Sequence, residues 1–146
     1  MAHFEKSLEI AAPVEKVWQY IVQGTSALEY MPMVIGFEFT RPVEYRPGDR
    51  FRITLRILGV PIEFESEVQE EIPNRKLTFS SISGMKNSTT YLLEPSPLGC
   101  RVTFVSDYEL PGGLLGQIAD RLAVQRAMEQ GVSEGLERLK QKMEEG

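Results

Sequence analysis

Apolar and polar positions alternate from the start of the chain. Phe4, Leu8 and Ile10 fall on one side and Glu5, Ser7 and Glu9 on the other, which predicts a half-buried strand. Lys6 shares the apolar parity and is the exception. The spacing then changes. Val14, Val17, Trp18 and Ile21 recur at helical intervals behind Pro13, a residue suited to a first helical turn, and Gly24 suits a left-handed cap. Ser26 to Glu29 has the form of a capping box, predicting a short second helix that Pro32 ends.

From there to Leu110 the period is two. Strands are predicted over 34–40, 50–58, 60–71, 76–83, 88–94 and 100–110, with Arg46-Pro47-Gly48-Asp49 as a turn. A two-residue loop at Gly59-Val60 would set Arg56 against Glu63 and Arg52 against Glu67 on one face. It would set Leu55 against Phe64 and Phe51 against Val68 on the other. A one-residue slip would destroy both matches. The Arg and Glu rows read as a solvated outer face. Across the last turn, Leu93 is expected opposite Val102, and Tyr91 opposite Phe104. Everything after Gly113 reads as helix, about 32 residues or ~48 Å, long enough to cross the whole domain.

The three glycines of "LPGGLLGQIADRL" invite comparison with a phosphate loop. Their spacing is G-G-x-x-G, the preceding strand ends an antiparallel run, and no strand follows the helix. The segment reads instead as a hinge into that helix.

Composition narrows the chemistry. The 146 residues suit one domain spanning 1–146, with 42% hydrophobic and 25% charged residues. A net charge of −5 argues against a nucleic-acid partner. No run approaches the ~20 apolar residues of a bilayer span, and no signal-peptide pattern opens the chain. One cysteine, Cys100, excludes an internal disulfide, and a cytoplasmic location is expected. One histidine, His3, makes a Ser–His–Asp or Cys–His arrangement, or a tetrahedral zinc site, a poor expectation. No Walker-type sequence is present, and no cofactor is expected.

The order strand, two short helices, six strands and one long helix implies an α+β fold, an antiparallel sheet curving around the last helix. "IAAPVEKVWQYI" resembles the opening of the START-like superfamily, which takes in birch-pollen-allergen-like (Bet v 1-like, SRPBCC) proteins, polyketide cyclases and lipid-transfer domains. "RPGDRFRITL", "CRVTF" and "LPGGLLGQIADRL…LERLKQKMEE" resemble later elements of bacterial polyketide cyclase/dehydrase-type members. The resemblance covers essentially the whole chain. It implies a helix-grip fold with an internal cavity between the sheet and the C-terminal helix. Lipids, quinones, hormones or polyketide intermediates bind there in other members, and only some members act on them.

Strand parity assigns the concave face. Phe51, Ile53, Leu55, Ile62, Phe64, Val68, Leu77, Phe79, Leu93, Val102 and Phe104 share it with Ser66, Ser81, Tyr91, Ser106 and Tyr108. Apolar bulk with a few polar anchors is what a ligand pocket needs; for any one apolar residue, plain core is the default. On the long helix Leu114, Ile118, Leu122, Met128, Val132, Leu136, Leu139 and Met143 form an apolar stripe, interrupted by Arg121, Gln125 and Glu129. Those three either find surface partners or line the cavity mouth. Ala119, Ala123, Ala127, Gly131 and Gly135 form a ladder of small residues, read first as the ordinary alanine content of a helix and otherwise as room for a close neighbour such as another subunit.

The expected site therefore comprises Phe64, Ser66, Phe79, Ser81, Tyr91, Phe104, Ser106, Tyr108, Arg121, Gln125 and Glu129. Three functions compete: binding or carriage of a hydrophobic small molecule, a polyketide cyclase, aromatase or dehydratase using Tyr, Glu and Arg, and a protein-interaction module with a filled cavity. Monomer and homodimer both stay open.

Overall fold

The computed structural model describes residues 2–40, 46–110 and 121–145. Strand β1 (Ala2–Ile10) leads into helices α1 (Val14–Ile21) and α2 (Ala27–Tyr30). Six strands follow: β2 (Val34–Phe39), β3 (Arg50–Ile57), β4 (Val60–Ile72), β5 (Lys76–Gly84), β6 (Lys86–Pro95) and β7 (Cys100–Glu109). Helix α3 (Arg121–Glu144) closes the order. The seven strands form one antiparallel sheet, β1-β7-β6-β5-β4-β3-β2. This is a helix-grip α+β fold, with α3 held against the concave face of the curled sheet. Two register shifts between β4 and β5 bend those strands, as bulges do.

Parity reads the faces of the sheet. Phe51, Ile53, Leu55, Ile62, Phe64, Val68, Leu77, Phe79, Leu93, Val102 and Phe104 are all buried. In α1 the apolar set Val14, Val17, Trp18 and Ile21 is buried as its spacing requires, and Gly24 adopts φ +70° after it. Tyr91 pairs with Phe104 and Leu93 with Val102, the expected register.

The β3–β4 register differs from expectation. The turn is Leu58-Gly59, with φ of 51° and 81°, so both central residues are left-handed as a tight right-twisted hairpin demands. Arg50 then opposes Glu67, Arg52 opposes Glu65, Ile53 opposes Phe64 and Leu55 opposes Ile62. The whole pairing is displaced by two residues, and a two-residue displacement leaves every side chain on its own face. Ion pairs still form across it: Arg50 Nε to Glu67 Oε2 at 2.9 Å, and Arg52 Nε to Glu63 Oε1 at 3.4 Å on the diagonal.

Two further expectations change. Ser26 makes no helix cap; its backbone is already helical and its hydroxyl donates to the Tyr20 carbonyl at 2.7 Å. On α3, Leu122 is 54% exposed, while Val124, which the stripe omitted, is buried with Met128, Val132, Leu136, Leu139 and Met143. The buried face is thus turned toward Val124. The glycine hinge at Pro111-Gly112-Gly113, with Leu114, Ile118 and Ala119, lies outside the described residues.

The small-residue ladder has its neighbour within the chain. The Met33 side chain occupies the space where a β-carbon of Gly131 would stand, and Met31 does the same at Gly135. Mid-helix glycine costs about 0.8–1 kcal/mol relative to alanine, and here it lets the segment after α2 lie directly on α3.

Candidate functional site

Between the sheet and α3 lies a cavity of about 60 Å³. Its floor comes from β3 to β7, through Ile53, Leu55, Phe64, Phe79, Tyr91 and Phe104. Its cover comes from Met31, Met33 and Val34 on one side and from Met128 and Val132 of α3 on the other. Aromatic packing holds part of the floor. The Tyr91 ring stands edge-on to Phe104 with centroids 5.1 Å apart, and Phe79 stands edge-on to Phe51 at 5.0 Å.

A polar strip crosses this apolar surface. Thr89 pairs directly with Ser106, and Asn87 with Tyr108, in the β6–β7 register. Asn87, Thr89 and Ser106 all line the cavity and are all buried. The row runs from Phe4 through Ser106 and Thr89 to Phe79. Two small hydroxyl residues between two phenylalanines leave a hollow that larger side chains would fill. The Thr89 hydroxyl donates to Asn87 Oδ1 at 2.7 Å, and the Asn87 backbone N–H donates to Ser81 Oγ at 2.9 Å.

Tyr91 reaches across to α2, where its hydroxyl meets that of Tyr30 at 2.9 Å. Burial pushes the Tyr91 hydroxyl up to about 12, with the Tyr30 bond acting secondarily the other way. It is therefore a neutral hydrogen-bonding group throughout the physiological range.

The structure divides the expected site. Phe64, Phe79, Tyr91, Phe104 and Ser106 come together at the cavity. Ser66 is fully buried, opposite Ser81 and away from the lining, and its hydroxyl has no partner among the described residues. Ser81 supports Asn87 from behind. Tyr108, Arg121 and Gln125 line a separate open cleft of about 330 Å³ with Ala2, Glu109, Leu110 and Val124, at the start of α3. Glu129 lines neither space. Its carboxylate lies 3.8 Å from Lys6 Nζ, so the polar exception on β1 and the polar interruption on α3 answer each other at the rim. Burial, and secondarily Glu129, hold the Tyr108 hydroxyl above its usual range.

Met31, Met33, Asn87 and Thr89 were absent from the sequence-derived site. Thr89 shares the parity of Tyr91 and Leu93, and that signal, run two residues further back, also reaches Asn87. The methionines sit outside any periodic element and carried no such signal. His3 does not line the cavity; its side chain is half-exposed and lies 2.7 Å from Asp107. Among the described residues no group of three His, Cys, Asp or Glu side chains is placed to hold a metal ion, and no helix is long and apolar enough to cross a membrane.

A curled seven-stranded sheet gripping a long helix over an apolar cavity defines the Bet v 1-like class. Within it, the model of the polyketide cyclase/dehydrase and lipid-transport family matches residues 1–144, and the chain belongs to that family. Solved structures agree on the fold. The protein TTHA0849 from Thermus thermophilus superposes with a TM-score of 0.82 at 23% identity, covering 97% of each chain. The Zhui aromatase/cyclase from Streptomyces sp. R1128 gives 0.76 at 14% identity, covering 98% of this chain and 93% of its own. The allergen Ara h 8.0201 gives 0.69 at 13% identity, covering 99% of both. None of the curated proteins compared with the chain matches it.

Proposed function

We propose that this protein, acting as one domain, binds and carries a hydrophobic small molecule between its sheet and α3. The observation that carries the reading is the composition of the cavity wall: apolar and aromatic side chains from β2 to β7 and from α3, one short polar strip, and three methionines in the cover. Ligand pockets usually span about 300–1,000 Å³, and the cavity is about 60 Å³. Entry of a ligand therefore requires the cover to move. Methionine is suited to that, being unbranched and adaptable, and Met33 is only half-buried.

An enzyme of the aromatase/cyclase type is the second reading, favoured by the family and by the fold shared with an aromatase/cyclase. Acid–base chemistry works best with groups that titrate near the operating pH. Among the described residues Tyr91 is the titratable group lining the cavity, and burial pushes it up to about 12. That supports binding over catalysis.

Native mass spectrometry of protein taken directly from cells tests the reading. Binding predicts a co-purifying lipophile released on denaturation. Bare protein, with no retained molecule and no uptake of added lipophiles, would instead favour a protein-interaction module built on a filled interior.

A further inference from the structure

The polar strip is built in a way that specifies what the ligand carries. Thr89 donates to Asn87 Oδ1, and this bond fixes the orientation of the amide. The Asn87 backbone N–H is tied to Ser81, which anchors the residue from the other side. What remains is the amide NH₂, a pure donor, on a residue that lines the cavity. The Ser106 hydroxyl belongs to a residue 1% exposed on the neighbouring strand that lines the same cavity. Asn87 is 8% exposed, so both groups sit withdrawn from bulk water. A donor lining an apolar cavity gains from an acceptor that a ligand brings in, because little bulk water competes there. Both flank the hollow made by the small side chains of Thr89 and Ser106, between Phe4 and Phe79.

We infer that the Asn87 amide and the Ser106 hydroxyl form an oxygen-recognition site in the cavity, selecting apolar molecules that carry a carbonyl group over pure hydrocarbons. A ketone oxygen accepts two hydrogen bonds and donates none, which matches two donors lining one cavity. The Tyr91 hydroxyl is bonded to that of Tyr30, and Tyr91 stands beside this site in the wall. The inference rests on the binding reading above and adds the chemistry of the ligand.

The test compares two probes of nearly equal shape, acetophenone and isopropylbenzene, titrated into the full chain and followed by NMR. Acetophenone is expected to bind about tenfold more tightly, the effect of one to two hydrogen bonds gained in a dry site. The Asn87 side-chain amide resonances are expected to move with acetophenone and to stay with isopropylbenzene. Ser106→Ala and Asn87→Leu are each expected to lower acetophenone affinity toward that of isopropylbenzene, without weakening the hydrocarbon. The wild-type comparison needs no variant and holds whether or not Asn87→Leu folds. Equal affinities with an unmoved Asn87 amide would overturn carbonyl recognition and leave hydrophobic binding standing. Failure of both probes to bind would overturn the two together.

Discussion

The hydroxyls of Tyr30 and Tyr91 lie 2.9 Å apart in the interior, joining the end of α2 to the middle of β6. Both residues are buried, so the bond ties the helical cover to the floor of the cavity.

That bond has an alkaline signature. Burial raises the Tyr91 hydroxyl from 10.0 to about 12 in the folded chain. The unfolded chain releases its proton in that interval while the folded chain keeps it. Tyr91's contribution is complete below pH 10 and is lost as the pH rises to about 12. Tyr20, also raised to about 12, adds a second loss over the same interval. Tyr91→Phe is expected to cost about 1 kcal/mol at neutral pH and to flatten the alkaline fall in urea midpoint. A fall as steep as the parent's would assign it to other groups.

The two glycine seats on α3 are expected to respond differently to alanine. At Gly131 the β-carbon meets the terminal methyl of Met33, which is half-buried and free to rotate away. Gly131→Ala should therefore be neutral or gain up to about 1 kcal/mol from helix propensity. At Gly135 the obstacle is the Met31 sulfur, with the Met31 Cα 3.4 Å behind it, and Met31 is 5% exposed. Gly135→Ala should lose about 1–3 kcal/mol by overpacking. Chemical denaturation of both variants decides it, and equal effects would refute the seating.

An acid-side dependence belongs to Glu144. Its Oε2 accepts from the Ala11 N–H at 2.8 Å and from Lys140, closing the end of α3 onto the β1–α1 connection. Lys140 first, and the Ala11 bond next, hold the carboxyl below its ordinary 4.5. A lowered folded value stabilises above the unfolded one and is lost as the pH falls through it. Glu144→Gln should lower the melting temperature at neutral pH, and the gap should close as the pH falls below 4.5. A gap independent of pH would point to lost packing alone.

The rim pair of Lys6 and Glu129 should matter little to stability, since both side chains are about one-third exposed. Its effect should show on Tyr108, which burial and then Glu129 raise. Glu129→Gln is expected to lower the Tyr108 titration midpoint while leaving it above 10.0, because burial persists. An unchanged midpoint would remove Glu129 from the account.

The fold was legible where local chemistry and period two agree. The turn at Pro97 to Gly99 and the facing aromatics set Tyr91 opposite Phe104, and both signals pointed to one register. At β3–β4 the apolar parity survives a two-residue shift, so only the backbone of Leu58-Gly59 could decide between registers. The same contrast runs through the site. Phe64, Phe79, Phe104 and Ser106 were reachable because strand parity points them all at one space. Met31 and Met33 were not, because their position depends on α2 approaching α3 at Gly131 and Gly135. Helical spacing grouped Gln125 with Glu129, but could not show that β1 offers Lys6 to the second and leaves the first at a different cleft.

The most direct test of a ligand space under the methionine cover is NMR of methyl-labelled methionines during titration with isopropylbenzene, a probe that needs no polar partner. Met31, Met33 and Met128 line the cavity, whereas buried Met143 lies near the far end of α3, roughly 22 Å along the helix from Met128. Binding between sheet and helix predicts saturable shifts at Met31, Met33 and Met128, with Met143 unmoved. Silence at all three, or shifts at Met143 of the same size, would contradict it.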